Sequence, residues 1–158
     1  MNYENSKTYN FIIFDSETFV LYPDDFEHRI RSAYKTAKSR VIIVRNNEIM
    51  EKYEPMDLEI IRRARKRGVK MHFLTNNINE GKIDASEGLL FEIKFASTKI
   101  PCTFILFDKS ELFFGLYDSE NFGYMPYLWT KNSGIIALAE SYFEQMWAKS
   151  FGRIRTST

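Results

Sequence analysis

Cysteine and histidine are scarce in this chain, and neither sign of charge is in excess. Cys102 is the single cysteine, so an internal disulfide framework is excluded, and one cysteine with two histidines gives little material for a structural metal site. We expect no cofactor and no metal. The 22 basic and 21 acidic side chains leave a net charge of +1, too little for an overall field that attracts a polyanion. These features favour a reducing, cytoplasmic compartment.

Long hydrophobic runs are also missing. No apolar stretch approaches the roughly 20 residues of a membrane-spanning helix, and residues 1–10 are polar rather than typical of a secretory signal, so we expect no membrane insertion. The chain is instead rich in aromatic residues, with 14 Phe and 9 Tyr among 158 residues. We expect a single domain over residues 1–158, with its core at about 24–149.

The first part of the chain predicts alternating strands and helices. Residues 11–22, FIIFDSETFVLY, read as a hairpin, and a capping box of Asp24 and Glu27 begins a helix that ends near Ser39. The apolar run Val41–Val44 is typical of a central strand covered on both faces.

A second helix should begin near Pro55 and end at Gly68, before a strand at Val69–Leu74. A strand, a helix and a strand in tight succession form a βαβ unit. The predicted fold class is therefore α/β, with a mixed β-sheet covered by helices.

Further strands are predicted at Leu89–Ala96, Thr103–Phe107 and Leu112–Tyr117, and Leu128–Thr130 is expected to be an edge segment. The last helix, capped by Asn132 or Ser133, should bury seven residues. They are Ile135, Ile136, Ala139, Tyr142, Phe143, Met146 and Trp147.

The order of these segments resembles one half of a phospholipase D-like domain: AKSRVIIV, a helix leading into RRARKRGVKMHFLTN, the hairpin FILFDKSELFFG, and WTKN before AESYFEQMW. Active members of that family use a His-x-Lys-x4-Asp motif, in which His attacks phosphorus and Lys stabilises the phosphate oxygens. If Asp108 is the motif aspartate, Pro101 and Thr103 stand at the His and Lys positions. The resemblance therefore implies a domain that is not an enzyme of this family.

Single degenerate halves of this fold occur in the sensor domains of archaeal TrmB-type transcription regulators and in some signalling proteins. The resemblance implies a sensor or regulatory domain that binds a small polar effector or a protein partner. It also implies a homodimer, since the family pairs two halves, and DNA contact only through a separate domain.

The predicted ligand segment is YDSENFGYMPYLW, in which aromatic side chains that could stack on a ligand alternate with polar ones that could hydrogen-bond to it. Its candidate residues are Tyr117, Asp118, Asn121, Tyr124, Tyr127 and Trp129. Aromatic loops also pack over sheet edges or in subunit interfaces, so a pure interaction module stays open.

Other polar groups have simpler interpretations. Asp108 suits a hairpin turn, and the basic cluster from Arg62 to Lys70 is interpreted as a solvated helix end. A hydrolase that uses Asp108, Asp118 or His72 with a metal is the remaining alternative.

Overall fold

The computed structural model describes residues 17–45, 58–76, 91–116 and 126–152. Across these ranges eight strands form one mixed sheet in the order β1-β7-β6-β5-β2-β3-β4-β8, and three helices accompany it, which confirms the α/β class. The strands are β1 (Thr18–Leu21), β2 (Arg40–Arg45), β3 (Lys70–Thr75), β4 (Glu92–Phe95), β5 (Phe104–Phe107), β6 (Glu111–Gly115), β7 (Tyr127–Thr130) and β8 (Phe151–Gly152). The helices are α1 (Pro23–Thr36), α2 (Leu58–Lys66) and α3 (Ser133–Lys149).

Strand β2 lies at the centre of the sheet, as its continuous apolar run predicts. It pairs in parallel with β3 and antiparallel with β5, and every residue from Val41 to Val44 is buried. Strand β4 continues the parallel set beside β3. Burial on both faces is the reason that this strand contains no alternating polar residues.

Alternate residues of the strands supply two hydrophobic cores on opposite faces of the sheet. The first core contains Val41 and Ile43 together with Phe26 of α1 and Ile61 of α2. The second contains Ile42 and Val44 with Ile136, Ala139 and Phe143 of α3. Helices α1 and α2 therefore cover one face, and α3 covers the other.

Helix α1 begins one residue before the predicted capping box. Its N-cap is Tyr22, whose side chain makes no capping hydrogen bond, and Pro23 occupies the first turn, where its missing N–H costs nothing. Asp24 and Asp25 then lie in the first turn and complement the helix dipole. The predicted Asp24 cap is wrong because proline sets the start of the helix.

The end of α2 follows the prediction. Gly68 has a φ of +93°, the left-handed conformation that suits glycine after a helix. The neighbouring Arg67 donates from Nη2 to the carbonyl oxygens of Tyr34 (2.7 Å) and Ala37 (3.1 Å), so it satisfies the end of α1. This contact holds the C-terminal ends of α1 and α2 together.

Helix α3 is capped by Asn132, as predicted, because its Oδ1 accepts from the N–H groups of Gly134 (3.0 Å) and Ile135 (3.1 Å). One predicted core residue is wrong. Ile135 is 38% exposed, while Ile136 beside it is buried, so the buried stripe begins one residue later. Tyr142, Met146 and Trp147 are only partly buried, but they pack against the second core.

The outer strands differ from the prediction. Strand β7 is not an edge segment, because β1 pairs with it antiparallel on its outer side. The short strand β8 pairs with β4 and was not predicted. The first strand of the predicted opening hairpin, 11–14, lies outside the described residues.

Across the described ranges, no helix combines the length and the hydropathy needed to cross a membrane.

Candidate functional site

Loops join the strands at the two ends of the sheet, and we name these ends the carboxyl edge and the amino edge. The carboxyl edge is the one at which β2 and β3 end, at Arg45 and Thr75, and the amino edge is the one at which they begin, at Arg40 and Lys70. Because β5 runs antiparallel to β2, it begins at the carboxyl edge and ends at the amino edge. In open α/β sheets, ligands bind beyond the carboxyl ends of parallel strands.

The residues at the three positions of the family motif are separated by strand β5. Pro101 and Thr103 precede β5 at the carboxyl edge, whereas Asp108 follows it at the amino edge. Five residues of extended chain span about 17 Å, so Asp108 lies far from the other two positions. Asp108 therefore acts at the amino edge, far from positions 101 and 103 at the carboxyl edge, where the motif would have its histidine and lysine.

Asp108 holds the turn before β2 against the β5–β6 hairpin. Its Oδ1 accepts from the N–H of Ser39 (2.8 Å), the N–H of Arg40 (2.8 Å) and the hydroxyl of Ser39 (2.8 Å). Its Oδ2 accepts from the N–H of Lys38 (2.7 Å). The backbone N–H of Asp108 also donates to the carbonyl of Arg40 (2.9 Å). The carboxylate therefore satisfies three backbone donors that would otherwise lack partners.

The same contacts fix the charge of Asp108. Burial alone would raise the pKa of Asp108, but the hydrogen bonds from Arg40, Lys38 and Ser39 outweigh it and hold the pKa below the ordinary value. Asp108 and Lys109 have φ values of +53° and +59°, and Ser110 N–H donates to Phe107 O, as in a type I′ turn. Aspartate tolerates this conformation better than most residues.

Three polar side chains lie side by side at the carboxyl edge. Arg45 is opposite Thr75 in the β2–β3 register. On its other side, continuing the antiparallel register one step beyond the Val44–Phe104 pair brings Thr103 beside Arg45. By strand alternation all three are on the first-core face, and the Arg45 guanidinium lies 5.3 Å from the centre of the Phe73 ring. We name Arg45, Thr75 and Thr103 the polar row.

The polar row is buried, although polar side chains at strand ends are usually solvated. Arg45 is 9% exposed, Thr103 is 8% exposed and Thr75 is fully buried. Among the residues that the structure describes, none forms a hydrogen bond with the hydroxyl of Thr75. A buried hydroxyl without a partner lowers the stability of the fold by about 1–3 kcal/mol, a cost that a functional role of this hydroxyl would account for.

Sequence reasoning missed the polar row. A usable signal exists, because Arg45 directly follows the apolar run of β2, and Thr75 follows the apolar end of β3. What the sequence does not contain is the register that brings Thr103, from a distant strand, beside them.

The structure describes two of the six predicted ligand residues, and both are buried. Tyr127 and Trp129 are each 5% exposed and belong to the first core. The ring of Tyr127 stacks on Phe26 with a centroid distance of 3.9 Å, and Trp129 stacks on Phe19 at 5.6 Å. Their role in ligand binding stays a prediction. The other four residues, Tyr117, Asp118, Asn121 and Tyr124, lie outside the described residues.

Trp129 is surrounded by charged groups. The Arg29 guanidinium lies 4.4 Å from the ring centre and the Lys131 ammonium 5.7 Å from it. The buried Nε1 makes no hydrogen bond of ordinary geometry. Burial raises the pKa of Glu111, while the Trp129 indole, Lys131 and Arg29 act against that rise. The indole therefore has the Glu111 carboxylate close by.

The ring nitrogens of His72 both have neighbours. Nδ1 accepts from Arg40 Nε (3.1 Å), and Nε2 is 3.5 Å from the Glu92 carboxylate. Burial and then the charge of Arg40 lower the pKa of His72, so the ring is neutral at pH 7. Cys102 is partly buried against the second core, and burial raises the pKa of its thiol. Neither residue is placed as an activated nucleophile.

Two open clefts flank Asp108 at the amino edge. One of about 390 Å³ is lined by residues that include Thr36, Ser110 and Glu111. The other, of about 300 Å³, lies towards Lys109 and Glu140, which form an ion pair of 3.1 Å. Within the ranges that the structure covers, no three His, Cys, Asp or Glu side chains are grouped as metal ligands would be.

Comparisons with known proteins find similarity in structure alone. No protein-family profile matches the chain, and no curated protein matches it in sequence. The chain is similar to TrmBL2, described as an archaeal chromatin protein with a novel mode of DNA binding, with a TM-score of 0.66 and 19% identity. The match covers 95% of this chain and 60% of that one, so this chain spans only part of the length of TrmBL2.

Two small phospholipase D-type proteins match over nearly their whole length. NucT from Helicobacter pylori gives a TM-score of 0.67 at 14% identity, with 87% of this chain and 99% of that chain covered. Nuc from Salmonella typhimurium, a phospholipase D family member, gives 0.63 at 14% identity, with 86% and 97% covered. The predicted phospholipase D-like fold is confirmed.

Proposed function

We propose that this chain is a non-catalytic phospholipase D-like regulatory domain that binds a small polar effector at the carboxyl edge of its sheet. The observation that carries the proposal is the polar row. Arg45, Thr75 and Thr103 lie buried at the edge where Pro101 and Thr103 replace the histidine and lysine of the active family. A site without the nucleophile, but with buried polar groups beneath it, suits binding rather than phosphoryl transfer.

The similarity to TrmBL2 supports a regulatory role, and the similarity to Nuc and NucT supports the fold; function itself depends on the site. The site favours binding for a chemical reason. Covalent catalysis requires a side chain that can attack phosphorus, and neither Pro101 nor Thr103 supplies an imidazole. The arginine of the polar row offers donors in a planar arrangement that fits a carboxylate or phosphate oxygen pair.

The alternative hydrolytic function, through Asp108, Asp118 or His72 with a metal, has little support from the two of these residues that the structure describes, Asp108 and His72. The Asp108 carboxylate already accepts four hydrogen bonds, and both nitrogens of His72 have neighbours. Turnover of a broad phosphodiester substrate with divalent metal would favour this alternative over the proposal.

The direct test is a thermal-shift screen of the purified chain against sugars, nucleotides and other small polar metabolites. A compound that binds the folded state raises the melting temperature in a saturable way. We expect at least one such compound, and we expect its effect to be lost in Thr75→Val. If every compound is without effect, the chain is better described as a protein-interaction module.

Homodimerisation is the second part of the proposal, because the family assembles its unit from two halves and this chain supplies one. Sedimentation velocity at micromolar concentration, with and without the compound found in the screen, should give a dimer. A monomer under both conditions would remove this part and leave effector binding untouched.

A further inference from the structure

A net charge of +1 conceals a strong separation of charge along the chain. Residues 29–40 contain five basic side chains and residues 62–70 contain six, and neither segment contains an acid. These two short segments thus supply 11 of the 22 basic side chains, while all 21 acids lie elsewhere. The rest of the chain carries a net charge of 11 − 21 = −10. Half of the basic side chains are therefore concentrated in two short segments, although the net charge is small.

The fold brings the two segments together. They include the C-terminal parts of α1 and α2, and Arg67 donates to the carbonyls of Tyr34 and Ala37 across the gap between these helices. The N–H of Lys70 donates to Ser39 O (2.9 Å), which joins the turns that follow the two helices. Five exposed cations come from the ends of these helices and the turns after them, at or near the amino edge: Lys35, Lys38, Lys66, Arg67 and Lys70. We name these five the basic patch.

The charge of the basic patch is not neutralised by its neighbours. Across the described part of the chain, no carboxylate forms an ion pair with Lys35, Lys38, Lys66 or Lys70. Asp108, which lines clefts together with Lys38 and Lys70, directs its carboxylate at backbone N–H groups. The pairs of Arg62 and Arg63 with Glu59 lie further up α2. Complementing two helix dipoles needs one or two cations at each end, so the dipole explains only part of the patch.

The patch lacks exposed apolar and aromatic side chains, and this composition indicates the class of partner that it fits. The large hydrophobic residues that the structure exposes all lie outside residues 29–40 and 62–70, whereas a helix that binds a membrane surface needs apolar residues beside its cations. Tyr34, the single aromatic residue of the two segments, is 3% exposed, so no ring is available for stacking on unpaired bases. We propose that the basic patch binds the phosphate backbone of double-stranded nucleic acid without sequence preference.

Lysine is suited to this task. An ammonium on a flexible stem contacts phosphates as a point charge and reads no base, so the binding depends on salt rather than on sequence. This surface is at the opposite edge of the sheet from the polar row, and the inference does not rest on effector binding.

The test measures binding of the full chain to a fluorescently labelled 20-bp DNA duplex by anisotropy between 50 and 200 mM salt. If four or five cations contact phosphates, the slope of log affinity against log salt should be about −4. Lys38, Lys66 and Lys70 are then changed together to Gln. We expect an affinity at least about tenfold lower at 50 mM salt and a slope less steep by about 2.7, since each lost contact removes about 0.9.

The matched control changes Lys99, Lys131 and Lys149 to Gln, which are also exposed, and it alters the net charge by the same amount. The control should bind within about twofold of the unchanged chain, because its substitutions lie outside the patch. If the patch variant does not fold, Lys66→Gln alone, on the exposed side of α2, should still reduce the slope by about 0.9.

Three results would overturn the inference: no binding to the duplex at 50 mM salt, equal losses in the patch and control variants, or tighter binding to a single strand of the same length. Binding to vesicles with anionic lipid, without binding to the duplex, would identify the patch as a membrane-surface site instead. A failed effector screen has no bearing on any of these results.

Discussion

Thr75 and Thr130 are both fully buried at strand ends, but they lie at opposite edges of the sheet and differ in what their hydroxyl groups contact. At the amino edge, Thr130 Oγ1 is 2.7 Å from Thr18 Oγ1 and accepts from the N–H of Asn132 (2.9 Å). At the carboxyl edge, the Thr75 hydroxyl has no partner within the described ranges. Asp108, also at the amino edge, extends the contrast, because its carboxylate accepts four hydrogen bonds.

The difference separates a structural use of polar groups from a functional one. A buried polar group with all its hydrogen bonds made stabilises one arrangement of the chain, whereas an unsatisfied one weakens the fold until something binds to it. The amino edge therefore explains how the loops are held in place. At the carboxyl edge, the Thr75 hydroxyl is a buried polar group to which the described part of the fold supplies no partner.

The largest expected effect is on Asp108. Asp108→Ala leaves three backbone N–H groups without an acceptor and places alanine at a φ of +53°, so we expect a loss of about 3 kcal/mol in the free energy of unfolding, measured in urea. Asp108→Asn retains the oxygen that accepts from Ser39 and Arg40 and should lose about half as much. Equal stability of all three proteins would contradict a structural role for this carboxylate.

The acid dependence of stability refines the same point. Because the folded pKa of Asp108 lies below the ordinary value of 3.8, the unfolded chain takes up the proton first as the pH falls. The advantage of the unchanged chain over Asp108→Asn, about 1.5 kcal/mol at neutral pH, should be complete above about pH 5 and shrink as the pH falls through 3.8. Urea titrations at intervals from pH 6 to pH 3 measure it. A gap that stays constant would show that the charge contributes nothing.

The two threonines allow a matched comparison. Thr75→Val removes a hydroxyl without a partner and should raise the unfolding free energy by about 1 kcal/mol, whereas Thr130→Val removes one with two partners and should lower it by about 1 kcal/mol. The substitutions are chemically identical, so urea unfolding of the two variants isolates the hydrogen bonding. Destabilisation by both would mean that Thr75 has a partner after all.

The smallest effect is on His72. Its folded pKa is lowered, so the unfolded state binds more protons below pH 6.5, and stability should fall as the pH drops from 6.5 towards 5.5. His72→Gln should remove this slope, worth about 0.5 kcal/mol, while His28→Gln, at an exposed position, should leave it in place. If the slope instead disappears in the His28→Gln variant, His72 is not the residue responsible for it.

The sequence predicted the central elements because local signals specify them. The apolar run of β2, the glycine after α2 and the asparagine before α3 each correspond to an observed boundary. The position of β7 was missed because β1, from a distant part of the chain, covers its edge.

The candidate site was less predictable for a similar reason. Tyr127 and Trp129 lie on the face of β7 that packs in the first core, and their side chains contact Phe26 and Phe19, which come from a part of the chain that the segment itself does not reveal. The polar row joins three strands, so it depends on a register that no single segment encodes.

The most direct test of the contrast between the edges is a two-dimensional amide NMR titration of the isotope-labelled chain with the strongest compound from the thermal-shift screen. Binding at the carboxyl edge predicts saturable shifts of the amide signals of Arg45, Thr75 and Thr103, with little change at Ser39 and Asp108. The opposite pattern, with shifts confined to the amino edge, would contradict the account and place the ligand in the clefts beside Asp108.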